Sequence, residues 1–419
     1  MRVLLLGCLV LLGTACRDEH EARFDYTHVR TVITTIQQHL VDPISEAELV
    51  MPACDAVLAF VEGHGDSVEI RCEAVDTMDE LETVFQSAIT KGRVDQSELL
   101  IATNVAIART TGHSHTVFIP FPDAELQERT LGFHKVNQGD SWLVWEVPTG
   151  TGAHLAGLRP GDVIGSVNGV AVKEWDGVQS LDEVVNLQLV RPNVGPLEIE
   201  VRWTEESHGA IETDLLPGSI AYARIRAFVP MQKQEEDGPS FGVTLSKAIH
   251  DLNANRPRGW ILDLRSNFGG AQDTCAFITG LFAKSGYPIE RPFISEGRSR
   301  AIAQTVWPQP LEDPRPVVIL VDEGSTSCSE IVAESLRQSV GAVIVGTRTP
   351  GAVELAIPIS VGDGTLLVTV ARVKIGPAAL DIERIGVMPD HTVELDALEL
   401  SRGHDAQLEF AVSLLQPVP

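Results

Sequence analysis

The sequence predicts a multidomain α/β chain (α+β overall), and three observations predict it. Between about residues 26 and 111 the apolar residues recur at helical spacing, as in Val29, Val32, Ile33, Ile36 and Leu40. From about residue 130 to 204 the pattern becomes short β-rich runs, such as Trp142-Leu143-Val144-Trp145, separated by Gly, Pro and Asp turns. Beyond about Pro217, apolar runs such as Val317-Val318-Ile319-Leu320-Val321 alternate with helical patterns such as residues 331–340. That alternation marks an α/β layer structure around a largely buried sheet. The expected organisation is a signal segment over 1–15, a helical N-terminal domain over 16–120, a small β-rich domain over 121–206 and an α/β domain over 207–419.

Charge and composition narrow the function. The 419 residues carry 32 basic against 58 acidic side chains, a formal charge of −26, and such a field repels phosphate backbones. Nucleic acid is therefore not an expected partner. No GxxxxGKS or GxGxxG string occurs, so no nucleotide cofactor is expected. No HExxH or paired CxxC spacing occurs either, so no metal is expected.

Arg2 followed by the apolar run over 3–12 reads as a secretory signal, too short to span a bilayer as a stable anchor. It ends in Leu12-Gly13-Thr14-Ala15-Cys16, which resembles a bacterial lipobox. Lipidation of Cys16 would make the chain a periplasm-facing, membrane-anchored lipoprotein; the alternative is an ordinary signal cut at Ala15. Export permits disulfides. Of the remaining cysteines, Cys54 and Cys72 are the favoured pair because they would close a short loop, while Cys275 and Cys328 are either buried thiols or a second bridge.

The middle segment holds Ala153-His154-Leu155-Ala156-Gly157-Leu158-Arg159-Pro160-Gly161-Asp162-Val163-Ile164, followed by Val167-Asn168-Gly169. This order of short helix, Arg-Pro-Gly-Asp turn, strand and Asn-Gly turn resembles PDZ domains. Leu131-Gly132-Phe133 matches the loop with which PDZ domains receive a C-terminal carboxylate on backbone N–H groups. The domain is expected either to bind a chain end or to act as a rigid cover.

Three strings in the last domain carry chemistry. Asp263-Leu264-Arg265-Ser266-Asn267-Phe268-Gly269-Gly270 follows a strand, and its glycines let backbone N–H groups face a developing oxyanion. Glu323-Gly324-Ser325-Thr326-Ser327-Cys328-Ser329-Glu330 joins a strand to a helix, where a serine hydroxyl sits near the positive helix end. Ser327 and Glu330 also fit a capping box, and the two roles can overlap. The third string is Asp381-Ile382-Glu383-Arg384-Ile385-Gly386-Val387-Met388-Pro389-Asp390.

In this order, the three strings resemble the C-terminal processing peptidases, or tail-specific proteases, and their relatives around the tricorn core protease. The resemblance extends to Ile220-Ala221-Tyr222-Ala223-Arg224-Ile225 as an opening strand and Ala406-Gln407-Leu408-Glu409-Phe410-Ala411 as a closing helix. It implies a catalytic domain of the ClpP/crotonase-like type, with Ser327 as nucleophile and Cys328 and a glycine of Gly269-Gly270 as oxyanion donors. Many members have a lysine base in a Thr-x-Gly-Lys string; here the string is Thr349-Pro350-Gly351-Ala352, and alanine cannot take a proton. The tricorn-like branch uses a histidine instead, and His115 within Thr111-Gly112-His113-Ser114-His115-Thr116 matches it, with Ser114 as auxiliary serine and Glu383 as supporting carboxylate. His113 competes with His115, and Asp381 with Glu383.

The expected function is an exported serine endopeptidase acting on protein or peptide substrates, some through their free C-termini. The alternative is a catalytically silent PDZ-containing peptide-binding protein that keeps a protease fold.

Overall fold

The computed structural model describes residues 26–65, 71–91, 94–120, 129–175, 184–205, 209–234, 238–283, 311, 315–362, 364–376 and 378–416. The signal segment and Cys16 lie outside the described residues. The chain divides into two compact units, one holding residues up to Thr34 and Ser45–Thr110, the other Thr35–Ile44 and Thr111–Pro419.

The first unit is helical: α1 (Thr27–His39) begins in it, and α2 (Glu46–Gly63), α3 (Met78–Lys91) and α4 (Gln96–Thr110) lie within it. Ser45 starts α2 with a capping box in which the Glu48 carboxylate accepts the Ser45 N–H at 2.9 Å. The inward stripe of α2, Leu49, Val50, Ala53, Cys54, Val57 and Val61, is buried. Cys54 is bonded to Cys72, closing a loop of sequence separation 18. The chain leaves this unit after Thr110, ahead of the boundary near residue 120 that composition suggested.

The second unit contains a small β domain and a larger layered domain. In the small domain β3 (His134–Gln138), β4 (Ser141–Glu146), β5 (Val163–Val167), β7 (Val184–Arg191) and β8 (Gly195–Arg202) form an antiparallel sheet in that order, with β6 (Val170–Ala171) paired to β5. Between β5 and β6, Asn168 and Gly169 both have positive φ, the requirement of a tight hairpin turn. Asp162 of the Arg-Pro-Gly-Asp turn accepts the Arg159 N–H at 2.9 Å and takes a bidentate ion pair from Arg191.

The layered domain is built on the sheet β10 (Ile211–Leu216), β11 (Ile220–Ile225), β12 (Gly259–Asp263), β13 (Val317–Val321), β14 (Val343–Gly346) and β17 (His391–Thr392), parallel from β11 onward. Its central strands are buried at every position, which is why they read as apolar runs broken only by the charged Arg224 and Asp263. Alternation sorts them between two cores. Ala221, Ala223, Trp260, Leu262, Ile319 and Val321 pack with α6 (Phe241–Ala254), α7 (Gln272–Phe282) and α8 (Cys328–Val340). Ile220, Tyr222, Ile261, Val318 and Leu320 pack on the other side with Ala411 of α10 (Ala406–Leu415). A third sheet, β1 (Val117–Pro120), β16 (Gly364–Ala371) and β15 (Leu355–Val361), ties the chain just after His115 to the C-terminal third.

Val136, Leu143 and Trp145 of the small domain share a buried cluster with Leu395 and Leu400. Trp145 donates from Nε1 to Ser266 Oγ at 3.2 Å and lies under the guanidinium groups of Arg224 and Arg265, at 4.6 and 4.3 Å from the ring centre. The two parts of this unit therefore share a core as well as polar contacts.

Candidate active site

β13 delivers the chain to a turn held by both side-chain and backbone hydrogen bonds. Asp322, fully buried, accepts the Ser266 N–H at 2.7 Å and the Gly324 N–H at 2.9 Å. Ser325 donates to Leu264 O at 2.8 Å, Thr326 N–H to Asn267 O at 3.0 Å and Ser329 Oγ to Asn267 O at 2.8 Å. These bonds join the Ser325-to-Ser329 stretch to the 264–270 turn after β12. Ser327 sits between them at φ 54°, ψ −114°, as the residue preceding α8. A non-glycine residue in that region costs about 1–3 kcal/mol and persists only where its surroundings over-determine it.

The close approach of the two turns requires glycine at 269. A Cβ there would stand 2.6 Å from Ser327 Cβ and 3.0 Å from Cys328 N, and the backbone φ is +92°. The Gly269 N–H is already spent on Asn267 Oδ1 at 2.8 Å, which removes it from the expected oxyanion donors. The N–H groups of Gly270 and Cys328 have no hydrogen-bond partner among the described residues. The Cys328 thiol is pushed well above its ordinary range by the hydrogen bond with Cys275 and by burial, so it stays a neutral thiol beside Ser327.

Glu330 organises the far side of the turn. It is fully buried, and its Oε2 accepts both the Ser327 N–H at 3.1 Å and the Ala352 N–H at 2.8 Å. Its Oε1 accepts the Gly351 N–H at 2.7 Å and the Thr349 hydroxyl. Ala352, at the last position of the Thr349-Pro350-Gly351-Ala352 string, is thus tied through one carboxylate oxygen to the backbone of Ser327, and it carries only a methyl group.

The next residues of the same loop reach the histidine motif. Val353 N–H donates to Glu383 Oε2 at 2.8 Å. Glu354, buried, takes His113 Nδ1 on Oε1 at 2.8 Å, and the Ser114 N–H and hydroxyl on Oε2 at 3.1 and 3.3 Å. Burial pushes the Glu354 carboxyl up, but the hydrogen bond and charge of His113 and the Ser114 N–H outweigh it and hold it below the ordinary carboxylate range. Beyond this, Thr116 Oγ1 pairs with Thr369 Oγ1 at 3.1 Å, which fixes the motif against β16.

The two histidines have different fates. His113 is 7% exposed, and its Nε2 lies 3.5 Å from Asp42 while Nδ1 is held by Glu354, so both ring nitrogens are engaged. His115 is half-buried, its Nδ1 is 2.9 Å from Ser114 Oγ, and Nε2 has no partner among the described residues. Burial lowers its pKa, with Glu354 opposing in part, which favours the neutral imidazole at pH 7. No hydrogen bond joins His115 to Ser327 among the described residues.

Glu383 is pushed above the ordinary carboxylate range by burial, partly countered by the Val353 N–H and the Ser114 hydroxyl, with Glu354 and Glu330 adding to the rise. Its Oε1 is buried and has no hydrogen-bond partner among the described residues. Asp381 is engaged elsewhere, accepting the Glu383 N–H at 3.1 Å and pairing with Lys374.

In the small domain Leu131 and Gly132 are buried and Phe133 half-buried. The Gly132 N–H donates to Thr130 Oγ1 at 3.0 Å, so it is not available to a carboxylate in this state. The N–H of Asn137 on edge strand β3 is capped by the Glu323 carboxylate from the nucleophile turn.

Glu330, Glu354 and Asn267 escaped the sequence reading as site organisers. Glu330 had a signal, its spacing from Ser327, but that spacing indicates only a helix cap. Glu354 had none, because its partners lie 240 and 241 residues away in the chain.

A serine at a strained strand-to-helix turn, with two unpaired N–H groups beside it and a neutral imidazole in the same unit, is the equipment of the acyl-transferring serine hydrolases. Residues 219–393 match Peptidase family S41. The chain is 29% identical over 274 residues to the carboxy-terminal-processing protease of Bartonella bacilliformis, covering 62% of this chain and 59% of that protein. It is 29% identical over 297 residues to the carboxyl-terminal-processing protease of Synechocystis, covering 64% and 63%. The photosystem II D1 C-terminal processing protease shares the fold at a TM-score of 0.54 and 19% identity, over 93% of this chain and 96% of that one. Within residues 219–393 the chain is similar to Peptidase family S41, and its relatives named here are C-terminal processing proteases. It spans 59% and 63% of the lengths of the two relatives named.

Proposed function

We propose that this protein is an exported serine endopeptidase of the family's lysine-free type. The observation that carries the reading is the Ser327 turn: a strained serine packed on Gly269, with the Gly270 and Cys328 N–H groups unpaired beside it among the described residues. Ser327 Oγ attacks the scissile carbonyl while His115 Nε2 accepts its proton. The Gly270 and Cys328 N–H groups receive the negative oxygen of the tetrahedral intermediate. His115 returns the proton to the leaving amine, and water activated by the same imidazole hydrolyses the acyl-enzyme. Ser114 positions His115 through Nδ1 and is itself held by Glu354, and Glu383 is the supporting carboxylate. The β domain, read as PDZ-like, engages or gates substrate C-termini, and a lipid on Cys16 anchors the chain at the envelope membrane.

One observation favours the second reading, a silent peptide-binding protein: the missing hydrogen bond between His115 and Ser327. Catalytic hydrogen bonds in unliganded sites are commonly long and tighten only with substrate, so this does not displace the first reading. The test is soluble protein beginning after Cys16, incubated with unfolded proteins and free-C-terminus peptides, with products read by mass spectrometry. Cleavage that is lost in both Ser327→Ala and His115→Ala supports the peptidase. Cleavage that survives His115→Ala removes the histidine base, and no serine-dependent cleavage supports the silent protein.

A further inference from the structure

Phe268 is 78% exposed, although it is a large apolar residue on one of the most firmly held turns of the molecule. Its neighbours Asn267 and Gly269 are buried, the Asn267 side chain donates to Ile225 O at 2.6 Å, and the Phe268 carbonyl accepts the Thr326 hydroxyl at 2.9 Å. One residue further on, Gly269 packs against Ser327 Cβ. The ring is thus held in solvent by a rigid backbone, within two residues of the Gly270 N–H. Exposing an aromatic ring is unfavourable, and nothing in the turn's own packing requires it.

We infer that Phe268 is a specificity-determining residue that contacts the substrate side chain beside the scissile bond and selects peptides carrying an apolar residue there. This rests on the peptidase reading of Ser327. An apolar substrate side chain covers the ring and removes both surfaces from water, whereas an aspartate or lysine at that position is desolvated without a partner. The backbone of the turn, and with it Gly269 and Gly270, does not depend on the ring.

The experiment compares kcat/KM for peptides differing only at the residues flanking the cleaved bond, with Leu, Phe, Ala, Asp or Lys at each. Wild type, Phe268→Ala, Phe268→Leu and Val194→Ala are run together; Val194 is an exposed apolar residue of the β7–β8 turn. In parallel, a fluorophosphonate probe reports the reactivity of Ser327 without needing any peptide side chain. The expected result is an apolar-over-Asp preference in wild type that falls about tenfold in Phe268→Ala, stays within about threefold in Phe268→Leu and is unchanged in Val194→Ala. Probe labelling should stay at the wild-type level in all four. An unchanged preference in Phe268→Ala, or an equal loss for all peptides, overturns the specificity role and leaves the nucleophile standing. Wild type that neither labels nor cleaves removes the peptidase reading and this inference with it.

Discussion

Glu330→Gln is the sharpest perturbation of the site, because it keeps the shape and changes only what the side chain can accept. In the wild type four donors converge on the carboxylate: the N–H groups of Ser327, Gly351 and Ala352 and the Thr349 hydroxyl. The amide has a single acceptor oxygen, so its NH2 must face one of the two donor pairs. The better orientation turns it toward Thr349 and Gly351, where the hydroxyl can rotate to accept but the Gly351 N–H is orphaned. A buried orphan costs about 1–3 kcal/mol. The bonds from Ser327 and Ala352 survive as neutral ones, each weaker by about 1 kcal/mol. A neutral amide is easier to bury than a carboxylate, so the net destabilisation falls near the low end, about 3 kcal/mol. With a denaturant slope near 3 kcal/mol/M, the urea midpoint of the larger unit should drop by roughly 1 M. Because Ser327 is strained and the bond holding its backbone is weakened, its labelling by a fluorophosphonate should slow by about tenfold. A variant that unfolds at the wild-type midpoint and labels at the wild-type rate would refute the role given to Glu330.

Three further outcomes follow from the same geometry. Burial lowers the His115 pKa, and the neutral ring is the active form, so kcat/KM should fall as pH drops through a limb centred below the ordinary imidazole value of roughly 6.5; a limb centred above 7 would sink the assignment of that base. Gly269→Ala places a Cβ 2.6 Å from Ser327 Cβ at a φ of +92° and should reduce Ser327 labelling by about a hundredfold; labelling within threefold of wild type would mean that the turns can part without consequence. Replacing Cys54 and Cys72 with serine opens a loop of separation 18 and should cost the helical unit about 3 kcal/mol in urea unfolding followed by circular dichroism; a loss under about 1 kcal/mol would show that the loop is already ordered without the bridge.

Much of the molecule was legible in the chain. The central strands are apolar at nearly every position, Arg224 and Asp263 being the charged exceptions, because helices cover both faces of a parallel sheet, and the helical unit announces itself by its 3.6-residue stripe. Ser327 was legible because strand, short turn and capping signal follow one another within a dozen residues. Within the His113-Ser114-His115 motif the resemblance points to His115, with His113 a competitor because residues two apart on an extended chain share a face. What the chain does not show is that Asp42 and Glu354 engage both nitrogens of His113, while His115 Nε2 is unpartnered among the described residues.

The sequence by itself determined the layered architecture, the strand-to-helix turn at Ser327 and the absence of a lysine at Ala352. These depend on local periodicity, on turn-forming residues and on a side chain's identity, all of which are written in consecutive positions. Only the tertiary structure decided which N–H groups stay unpaired, that Gly269 gives its own to Asn267, that Glu330 joins Ser327 to Ala352 and that Glu354 engages His113. Each of these is a contact between chemically ordinary groups brought together by chain reversal. Their energy comes from burial, where an unmatched donor or acceptor is costly, and burial is a property of the folded whole.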